Sequence, residues 1–408
     1  MPFQSATKCV YMPVQNGDPH GAVNPPIYQS AGFSHPNPDD LEDLFSGRAF
    51  GHVYSRISNP TITELERRIA YLESGVGAVA MASGLAAIYA VAMGLCVSGQ
   101  TIIVSDSLFG GTRDLFEETI PKLGVRVQFC NMADPSLVAS LINEHTAFVF
   151  CEIISNPKLV VADVPQLKKI TAKAGVPLVV DATLTGAVGF NAKKHGADII
   201  IHSSTKLFAT NGGAVGGIIV DTGNFKWETS GNKDLVTASK KMRSFAFIER
   251  LRRHAIINAG FNTSPMNAYF TMMGLETLAL RYERISENAL AIARWFESDG
   301  VPVVYPGLAS HPQHTLASTL FLGYGPLLTI DLGCKDVAFT FIKQLKVVQN
   351  MSNLGDNRTM VIHPKSTIYA KHNADQWVQG GITDGLVRLN IGIESVDDLI
   401  AEFKEAIK

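Results

Sequence analysis

The chain has 408 residues, of which 46% are hydrophobic and 18% are charged. This composition indicates a globular protein of two or three domains and excludes a chain that is disordered throughout. The formal net charge of −2 gives no electrostatic reason to expect a nucleic acid or an anionic membrane surface as a partner.

The five cysteines are odd in number and form no CxxC pair. Cys96, Cys130 and Cys151 lie in apolar segments, so we expect buried thiols there and neither disulfides nor a metal site. Free thiols are typical of a reducing compartment. The first residues show no signal-peptide pattern and the apolar runs are all interrupted, so we predict a cytoplasmic protein without a membrane span.

Residues 1–60 are rich in Pro, Gly, Asn and aromatic residues and show little hydrophobic periodicity before Asp39. Such a segment buries little of its own surface, so it is either disordered or lies as an arm on another subunit. The residues that follow, Thr-Ile-Thr-Glu at 61–64, resemble a capping box and predict a helix through residue 71.

Strands and helices alternate from about residue 75 to residue 220. Buried strands separated by helices predict a mostly parallel sheet that is covered by helices on both faces. The predicted strands are 76–81, 101–104, 125–129, 147–151, 176–181 and 199–202, followed by an apolar run that ends at 220. The predicted helices between them are 83–95, 112–123, 135–143 and 164–174.

The rest of the chain predicts a connector and then a smaller α/β domain. The connector, residues 221–260, contains a basic helical stretch over 240–254. The small domain has a predicted amphipathic helix over 275–298, strands over 301–305, 327–332 and 386–391, and helices that begin at 335 and 396. We therefore predict an N-terminal arm (1–60), a large domain (61–258) and a C-terminal small domain (259–408).

One lysine follows the predicted strand 199–202 in the sequence Ser203-Ser204-Thr205-Lys206. A lysine that is desolvated in a cleft can lose its proton and attack a carbonyl, forming a Schiff base. Asp181 ends the preceding strand, where a parallel sheet opens to its ligand crevice. Pyridoxal phosphate (PLP) needs this pair, a lysine for its aldehyde and a carboxylate for its pyridinium nitrogen. The alternatives are a surface lysine that caps a loop and an aspartate in a helix cap or salt bridge.

Ser83-Gly84-Leu85 begins a predicted helix and has the composition of an anion site. Glycine lets a phosphate approach the free N–H groups, and the helix dipole favours negative charge, although many strand-to-helix turns carry Ser-Gly. Phe109 follows the next strand at the same sheet edge. Its ring could lie flat on an aromatic cofactor, or it could be a core phenylalanine before a glycine turn.

Three further polar residues are candidates for binding anions. Tyr54 and Arg56 offer a phenol and a guanidinium to a phosphate. If the arm crosses to a neighbouring subunit, these two residues would complete that subunit's site. Arg388 lies on a predicted strand of the small domain and could hold a substrate carboxylate bidentately or form an ordinary salt bridge.

Over nearly the whole chain, from Gly21-Ala22-Val23 to residues 392–398, these motifs resemble the Cys/Met-metabolism family of PLP-dependent enzymes. The resemblance implies a PLP-dependent transferase of fold type I, with a mostly parallel central sheet and a smaller C-terminal α/β domain. It also implies an amino-acid substrate and a homotetramer made of two active dimers.

The resemblance further implies a role for each matching residue. Lys206 matches the Schiff-base lysine that also shuttles protons, Asp181 matches the partner of the pyridinium nitrogen, and Phe109 lies at the position of the stacking ring. The other matches are Ser83, Gly84, Leu85, Thr183, Ser203 and Thr205 for the cofactor, Tyr54 and Arg56 for the neighbour's phosphate, and Asn156, Asn353 and Arg388 for the substrate carboxylate.

Within the family, the sulfhydrylase branch fits best. Residues 181–185 read Asp-Ala-Thr-Leu-Thr and lack the Asp-Asn-Thr that is common in the lyases, and residues 307–312 and 353–356 are also similar to the sulfhydrylases. Phe109 stands where most members have a tyrosine, and Gly111 stands where methionine γ-lyases have a cysteine. Both departures favour this branch.

Phe109 can stack on a ring but cannot donate a proton. Because carboxylic acids have a pKa of about 4 and thiols one of about 8.5, an ester leaves unprotonated more readily than a thiolate does. We therefore expect γ-replacement on O-acetyl-L-homoserine by sulfide or a small thiol, which gives homocysteine or methionine plus acetate. The alternatives are γ-elimination, cystathionine γ-synthase activity and, as a different class, a PLP-binding scaffold without turnover.

Overall fold

A central sheet of seven strands, the large sheet, lies within residues 3–13 and 20–408, the part of the chain that the computed structural model describes. Its strands are β1 (Gly77–Met81), β2 (Thr101–Ser105), β3 (Arg126–Cys130), β4 (Thr146–Glu152), β5 (Leu178–Asp181), β6 (Ile199–His202) and β7 (Gly217–Asp221). Their order across the sheet is β1-β7-β6-β5-β4-β2-β3. Each strand lies within a few residues of its predicted position.

The strands β3, β2, β4, β5 and β6 run parallel, which confirms the predicted mostly parallel sheet. The exception is β7, which inserts between β1 and β6 and runs antiparallel to both. The sequence could not reveal this, because a buried apolar run looks the same in either direction.

Helices cover both faces of the large sheet, and each face has its own apolar cluster. Ile69 of helix Pro60–Leu72 and Leu167 of helix Val164–Ala174 belong to one cluster. Val91 of helix Gly84–Leu95 belongs to the other. The strands are nearly continuous apolar runs because their side chains are buried on both faces.

The predicted helix 112–123 is broken into three short pieces. An α-helical turn at Gly110–Asp114 is followed by a π-helical turn at Leu115–Thr119 and a 3₁₀ turn at Ile120–Leu123. Pro121 lies in the last piece, where its missing N–H and its ring prevent a regular α-helix. The predicted helix 135–143 is shorter, at Pro135–Leu141.

The second sheet, the small sheet, has five strands within the described residues. They are β8 (Val303–Val304), β9 (Leu327–Asp331), β10 (Gln349–Asn350), β11 (Met360–Ile362) and β12 (Leu386–Asn390). The order is β10-β11-β12-β9-β8, and all pairs are antiparallel except β10 with β11. Helices Leu278–Ser298, Lys335–Gln344 and Val396–Ile407 contribute Phe296, Phe341 and Phe403 to its core.

The segment between the two sheets is more helical than a simple connector. Helices Lys233–Met242 and Ala246–Leu251 are followed by a π-helical segment at Arg252–Asn258. The predicted helix 275–298 is divided at Thr277 into helices Pro265–Glu276 and Leu278–Ser298. Helix Pro265–Glu276 packs on the core of the large sheet through Ala268 and Met272, although it follows the predicted boundary between the two domains. The boundary at residue 258 therefore stays a prediction.

The predicted arm, residues 1–60, contains helices Ser5–Val10 and Pro38–Phe45, while residues 1–2 and 14–19 lie outside the described part. Its apolar side chains are unusually exposed: 93% for Val23 and 68% for Phe45. Surface of this kind is typical of a segment that contacts another molecule.

Cys96, Cys130 and Cys151 are buried free thiols, as predicted. The other two cysteines, Cys9 and Cys334, are also free. Across residues 3–13 and 20–408, no helix combines the length and apolar character that a membrane crossing requires.

Candidate active site

A cavity of about 300 Å³ opens at the carboxyl ends of β4, β5 and β6 and is closed on one side by Arg388 of the small sheet and by the loop between β10 and β11. All but two of the predicted site residues line it. These are Ser83, Gly84, Leu85, Phe109, Asn156, Asp181, Thr183, Ser203, Thr205, Lys206, Asn353 and Arg388. The parallel sheet explains this convergence, because its strands deliver their last residues to one edge.

Lys206 lies in the turn that follows β6, and its side chain enters the cavity. Its backbone N–H donates to the Ser203 carbonyl over 3.1 Å, and its Nζ donates to Oδ1 of Asn353 over 2.7 Å. Burial and the nearby positive charge of Arg388 lower the pKa of Lys206 from 10.5 to about 8. With a pKa of about 8, roughly a tenth of this amine is unprotonated, and so nucleophilic, at pH 7, and about half is unprotonated at pH 8.

Asp181 ends β5 and is connected to the lysine turn by two hydrogen bonds. Its Oδ1 accepts the N–H of Thr183 over 2.9 Å, and Oγ1 of Thr183 accepts the N–H of Ser203 over 2.8 Å. Burial raises the pKa of Asp181, while the bonds from Thr183 and the field of His202 act in the opposite direction. The carboxylate is thus oriented by its neighbours and can face a cationic group in the cavity.

The N-terminus of helix Gly84–Leu95 forms another wall. Ser83 caps it, and its Oγ accepts the N–H of Ala86 over 3.1 Å. Only glycine fits at two positions here: a Cβ on Gly84 would lie 2.8 Å from Cβ of Ser203, and one on Gly217 would lie 2.1 Å from the Ser83 carbonyl oxygen. The helix start is thereby held against Ser203, and its first N–H groups can receive an anion.

The Thr205 hydroxyl is already engaged within the chain. It donates to the Gly216 carbonyl over 3.2 Å and accepts the Gly216 N–H over 3.0 Å. Thr205 therefore closes the turn before Lys206, in addition to lining the cavity.

Arg388 on β12 brings a buried cation to the far side of the cavity. Its Nη1 donates to Oδ1 of Asn156 over 3.2 Å and its Nη2 to the Asn353 carbonyl over 3.0 Å. Its Nε has no partner within the described chain, and burial lowers the pKa of Arg388 to about 10. A desolvated guanidinium with an unfilled donor suits a ligand carboxylate.

Glu152 was not predicted, although it lines the same cavity. It is the last residue of β4, where the predicted strand stopped one residue earlier, at 151. Its Oε1 accepts the N–H of Phe109 over 2.8 Å, and its Oε2 accepts the N–H of Asn156 over 3.2 Å. An acid directly after an apolar run is the signal that identified Asp181, and it was present here too.

Tyr54 and Arg56 do not reach the cavity of their own chain. The Arg56 guanidinium lies 5.5 Å from the centre of the Tyr54 ring and bonds the Ile257 carbonyl. Tyr54 is 45% exposed. Within a single chain, these two residues are therefore separate from the other predicted site residues.

Comparison with curated proteins gives relatives that match this chain along nearly its whole length. An O-acetyl-L-homoserine sulfhydrylase from Thermus thermophilus is 37% identical, with 94% of each chain covered. A homocysteine synthase from Schizosaccharomyces pombe is 35% identical, with 94% of this chain and 93% of the relative covered.

A solved structure agrees with both. The O-acetylhomoserine (thiol)-lyase from Campylobacter jejuni, which contains a pyridoxyl-lysine phosphate, superimposes with a TM-score of 0.92 at 29% identity, covering 99% of this chain and all of that one. The family model for the Cys/Met metabolism PLP-dependent enzymes matches residues 6–408. The chain therefore belongs to the Cys/Met-metabolism family of PLP-dependent enzymes.

Proposed function

We propose that this protein transfers the aminocarboxypropyl group of O-acetyl-L-homoserine to sulfide or a small thiol, giving homocysteine or methionine and releasing acetate. The observation that carries the proposal is one cavity that joins an amine of lowered pKa (Lys206), an oriented carboxyl group (Asp181) and a buried guanidinium (Arg388). The relatives named O-acetylhomoserine sulfhydrylase and homocysteine synthase support the same reaction.

The residues of the cavity fit PLP. Lys206 would supply the amine for its aldehyde, Asp181 would pair with its ring nitrogen, and Phe109 would offer a ring to lie against it. The start of helix Gly84–Leu95, with Ser203 beside it, would hold its phosphate. When bound, PLP withdraws electrons from the substrate carbons next to the amino group, which makes protons there removable.

The rest of the cavity binds the substrate and moves its protons. Arg388, held by Asn156 and Asn353, binds the substrate carboxylate and so fixes the position of the carbons that react. Lys206 takes the proton from Cα and, with its flexible stem, reaches Cβ in turn. Acetate then leaves from Cγ, sulfide or a thiol adds at the same carbon, and the protons taken from Cβ and Cα are returned to them, so that the net change is the exchange of acetate for sulfur.

Phe109 limits which leaving group can depart. Its phenyl ring lines the cavity and cannot donate a proton, so the leaving group must be stable as an anion. Acetate meets this requirement because carboxylic acids have a pKa of about 4, against about 8.5 for a thiol. The proposed substrate is therefore the ester.

We further propose that Tyr54 and Arg56 bind the phosphate in the site of an adjacent subunit, within a homotetramer of two active dimers. The exposed apolar side chains of residues 20–60 support such an arrangement. Five free cysteines support a cytoplasmic location, where thiols stay reduced.

A substrate panel tests the reaction. Three homoserine esters (acetyl, succinyl and phosphoryl), methionine and cystathionine are each supplied with sulfide, methanethiol or cysteine, and the sulfur product and the keto acid are measured. We expect homocysteine from the acetyl ester and sulfide. α-Ketobutyrate formation that sulfide does not change would contradict the proposal and support γ-elimination.

The substitution Phe109→Tyr tests the argument on the leaving group. A phenol at this position restores a proton donor, so we expect the rate with methionine to rise roughly 10- to 100-fold, at the low end of what a positioned general acid contributes. The rate with O-acetyl-L-homoserine serves as the control and should change less than about threefold. An equal rise for both substrates would contradict the argument.

A further inference from the structure

Two carboxyl groups lie side by side in the cavity. Glu152 and Asp181 are register partners at the ends of the parallel strands β4 and β5, so their side chains leave the same face of the sheet. Both line the cavity. Further ionisable groups near Glu152 are Tyr369, Cys151, Asp106 in a small neighbouring pocket that Glu152 also lines, and, across the main cavity, Lys206 and Arg388.

Two carboxyl groups this close in a buried site cannot both be charged, so the pair retains a proton. Burial and the charge of Asp181 raise the pKa of Glu152 well above its usual range. Asp181 is better placed to carry the charge, because Thr183 donates to it and His202 acts on it with a positive field. This balance assigns the proton to Glu152, although the two N–H donors that bond it act in the opposite direction.

Glu152 also connects the two loops that form the walls of the cavity. It accepts the backbone N–H of Phe109 over 2.8 Å and that of Asn156 over 3.2 Å. On the other side of these loops, the Tyr369 hydroxyl lies 2.8 Å from the Leu108 carbonyl and 3.2 Å from the Asn156 carbonyl. Glu152 and Tyr369 thus hold both the backbone beside the Phe109 ring and the backbone beside the Asn156 amide.

We propose that Glu152 is a positioning residue of this site. As an uncharged carboxylic acid, it fixes the backbone of Phe109 and Asn156 and leaves Asp181 as the single negative charge of the pair. The inference rests on the proposed function, since Phe109 and Asn156 matter to turnover only if the cavity holds PLP and an amino-acid substrate.

The test uses the holoenzyme of the Glu152→Gln variant. The glutamine side chain is uncharged and nearly isosteric with glutamic acid, but it turns an NH₂ group toward one of the two N–H donors. We expect KM for O-acetyl-L-homoserine to rise roughly 5- to 100-fold, the effect of one unsatisfied buried donor, while kcat changes less. The pH midpoint of the visible absorbance of bound PLP should stay within about 0.3 units, because no charge is removed.

Two results would overturn the proposal. A shift of the absorbance midpoint by about one unit or more would mean that Glu152 carries a charge, and an unchanged KM would mean that it positions nothing. If Glu152→Gln does not fold, Glu152→Asp keeps the acid and withdraws both oxygens from their donors. The same rise in KM and the same unshifted midpoint are expected for it.

Asp198→Asn is the matched control. Asp198 is also a fully buried carboxyl group that accepts a backbone N–H, that of Leu178, over 2.8 Å. It lies at the opposite end of β6, so its loss should lower the Tm but leave KM and the midpoint unchanged. Should the wild-type enzyme not turn over O-acetyl-L-homoserine, the proposed function alone would fail. Glu152→Gln is then expected to raise the PLP dissociation constant, through the displaced Phe109 backbone, with an unshifted midpoint, and an unchanged constant would overturn the role of Glu152.

Discussion

The cavity and the N-terminal arm were both predicted to bind the cofactor, yet their side chains differ in burial and in position. Most side chains in the cavity are buried or half-buried, and several are joined by hydrogen bonds, as in the contact of Lys206 with Asn353. Tyr54 and Arg56 in the arm are turned away from it, and Tyr54 is 45% exposed. The difference teaches that one chain provides the lysine, the carboxyl groups and the guanidinium of its cavity, whereas Tyr54 and Arg56 do not line that cavity.

The largest effect is expected for Lys206→Ala, at the centre of the cavity. It removes both the covalent attachment of PLP and the group that moves substrate protons, so activity should fall by roughly 10³-fold or more. The purified variant should also lose the yellow colour of the wild-type protein. Retained turnover in this variant would show that the cavity is not the active site.

Arg388→Met is expected to have the next largest effect, mainly on substrate binding. Loss of a buried guanidinium that holds a carboxylate should raise KM by about 100-fold, or ~2.7 kcal/mol, with a smaller change in kcat. Arg281→Met is the matched control, since Arg281 is also buried and also has an unpartnered nitrogen, but lies outside the cavity. Equal effects on KM in both variants would contradict the proposed role of Arg388.

Mixed oligomers test the proposed role of the arm. Arg56→Ala and Lys206→Ala chains should each be weakly active or inactive alone. If Arg56 serves the neighbouring site, co-refolding the two at equal amounts should restore roughly a quarter of wild-type activity, because half of random dimers are mixed and each has one intact site. No recovery would place Arg56 in the site of its own chain.

A smaller effect concerns the pH at which the apoprotein takes up PLP. The pKa of Lys206 is lowered from 10.5 to about 8, so the unprotonated amine increases as pH rises and predominates above 8. The rate of uptake should therefore rise from about pH 7 to about pH 9, with a midpoint near pH 8, and then level off. In Arg388→Met the midpoint should move to higher pH, since a positive charge that lowers the pKa has been removed; an unmoved midpoint would argue against this coupling.

Much of the cavity could be predicted from the sequence because its residues stand at strand ends. Asp181 and Lys206 follow apolar runs, and the alternation of strands and helices places such ends at one edge of the sheet. The antiparallel direction of β7 could not be predicted, since a short apolar run looks the same in either direction. The sequence predicted only one basic helical stretch where the structure has the helices Lys233–Met242 and Ala246–Leu251, because basic residues interrupt the apolar pattern of this segment.

Contacts between distant segments were also beyond the sequence. Nothing in the order of residues indicates that the Asn353 amide meets Lys206, or that Glu152 accepts N–H groups from two loops. The resemblance to known enzymes supplied Asn353 but not Glu152. Glu152 was missed because the predicted strand ended at the last apolar residue, one position too early.

The most direct test of the central claim is to locate the cofactor on the chain. The purified holoenzyme is reduced with borohydride, digested and analysed by mass spectrometry. The account predicts a pyridoxyl phosphate group on Lys206, absent from the Lys206→Ala variant. A modified lysine elsewhere, or a holoenzyme in which Lys206 remains unmodified, would contradict it.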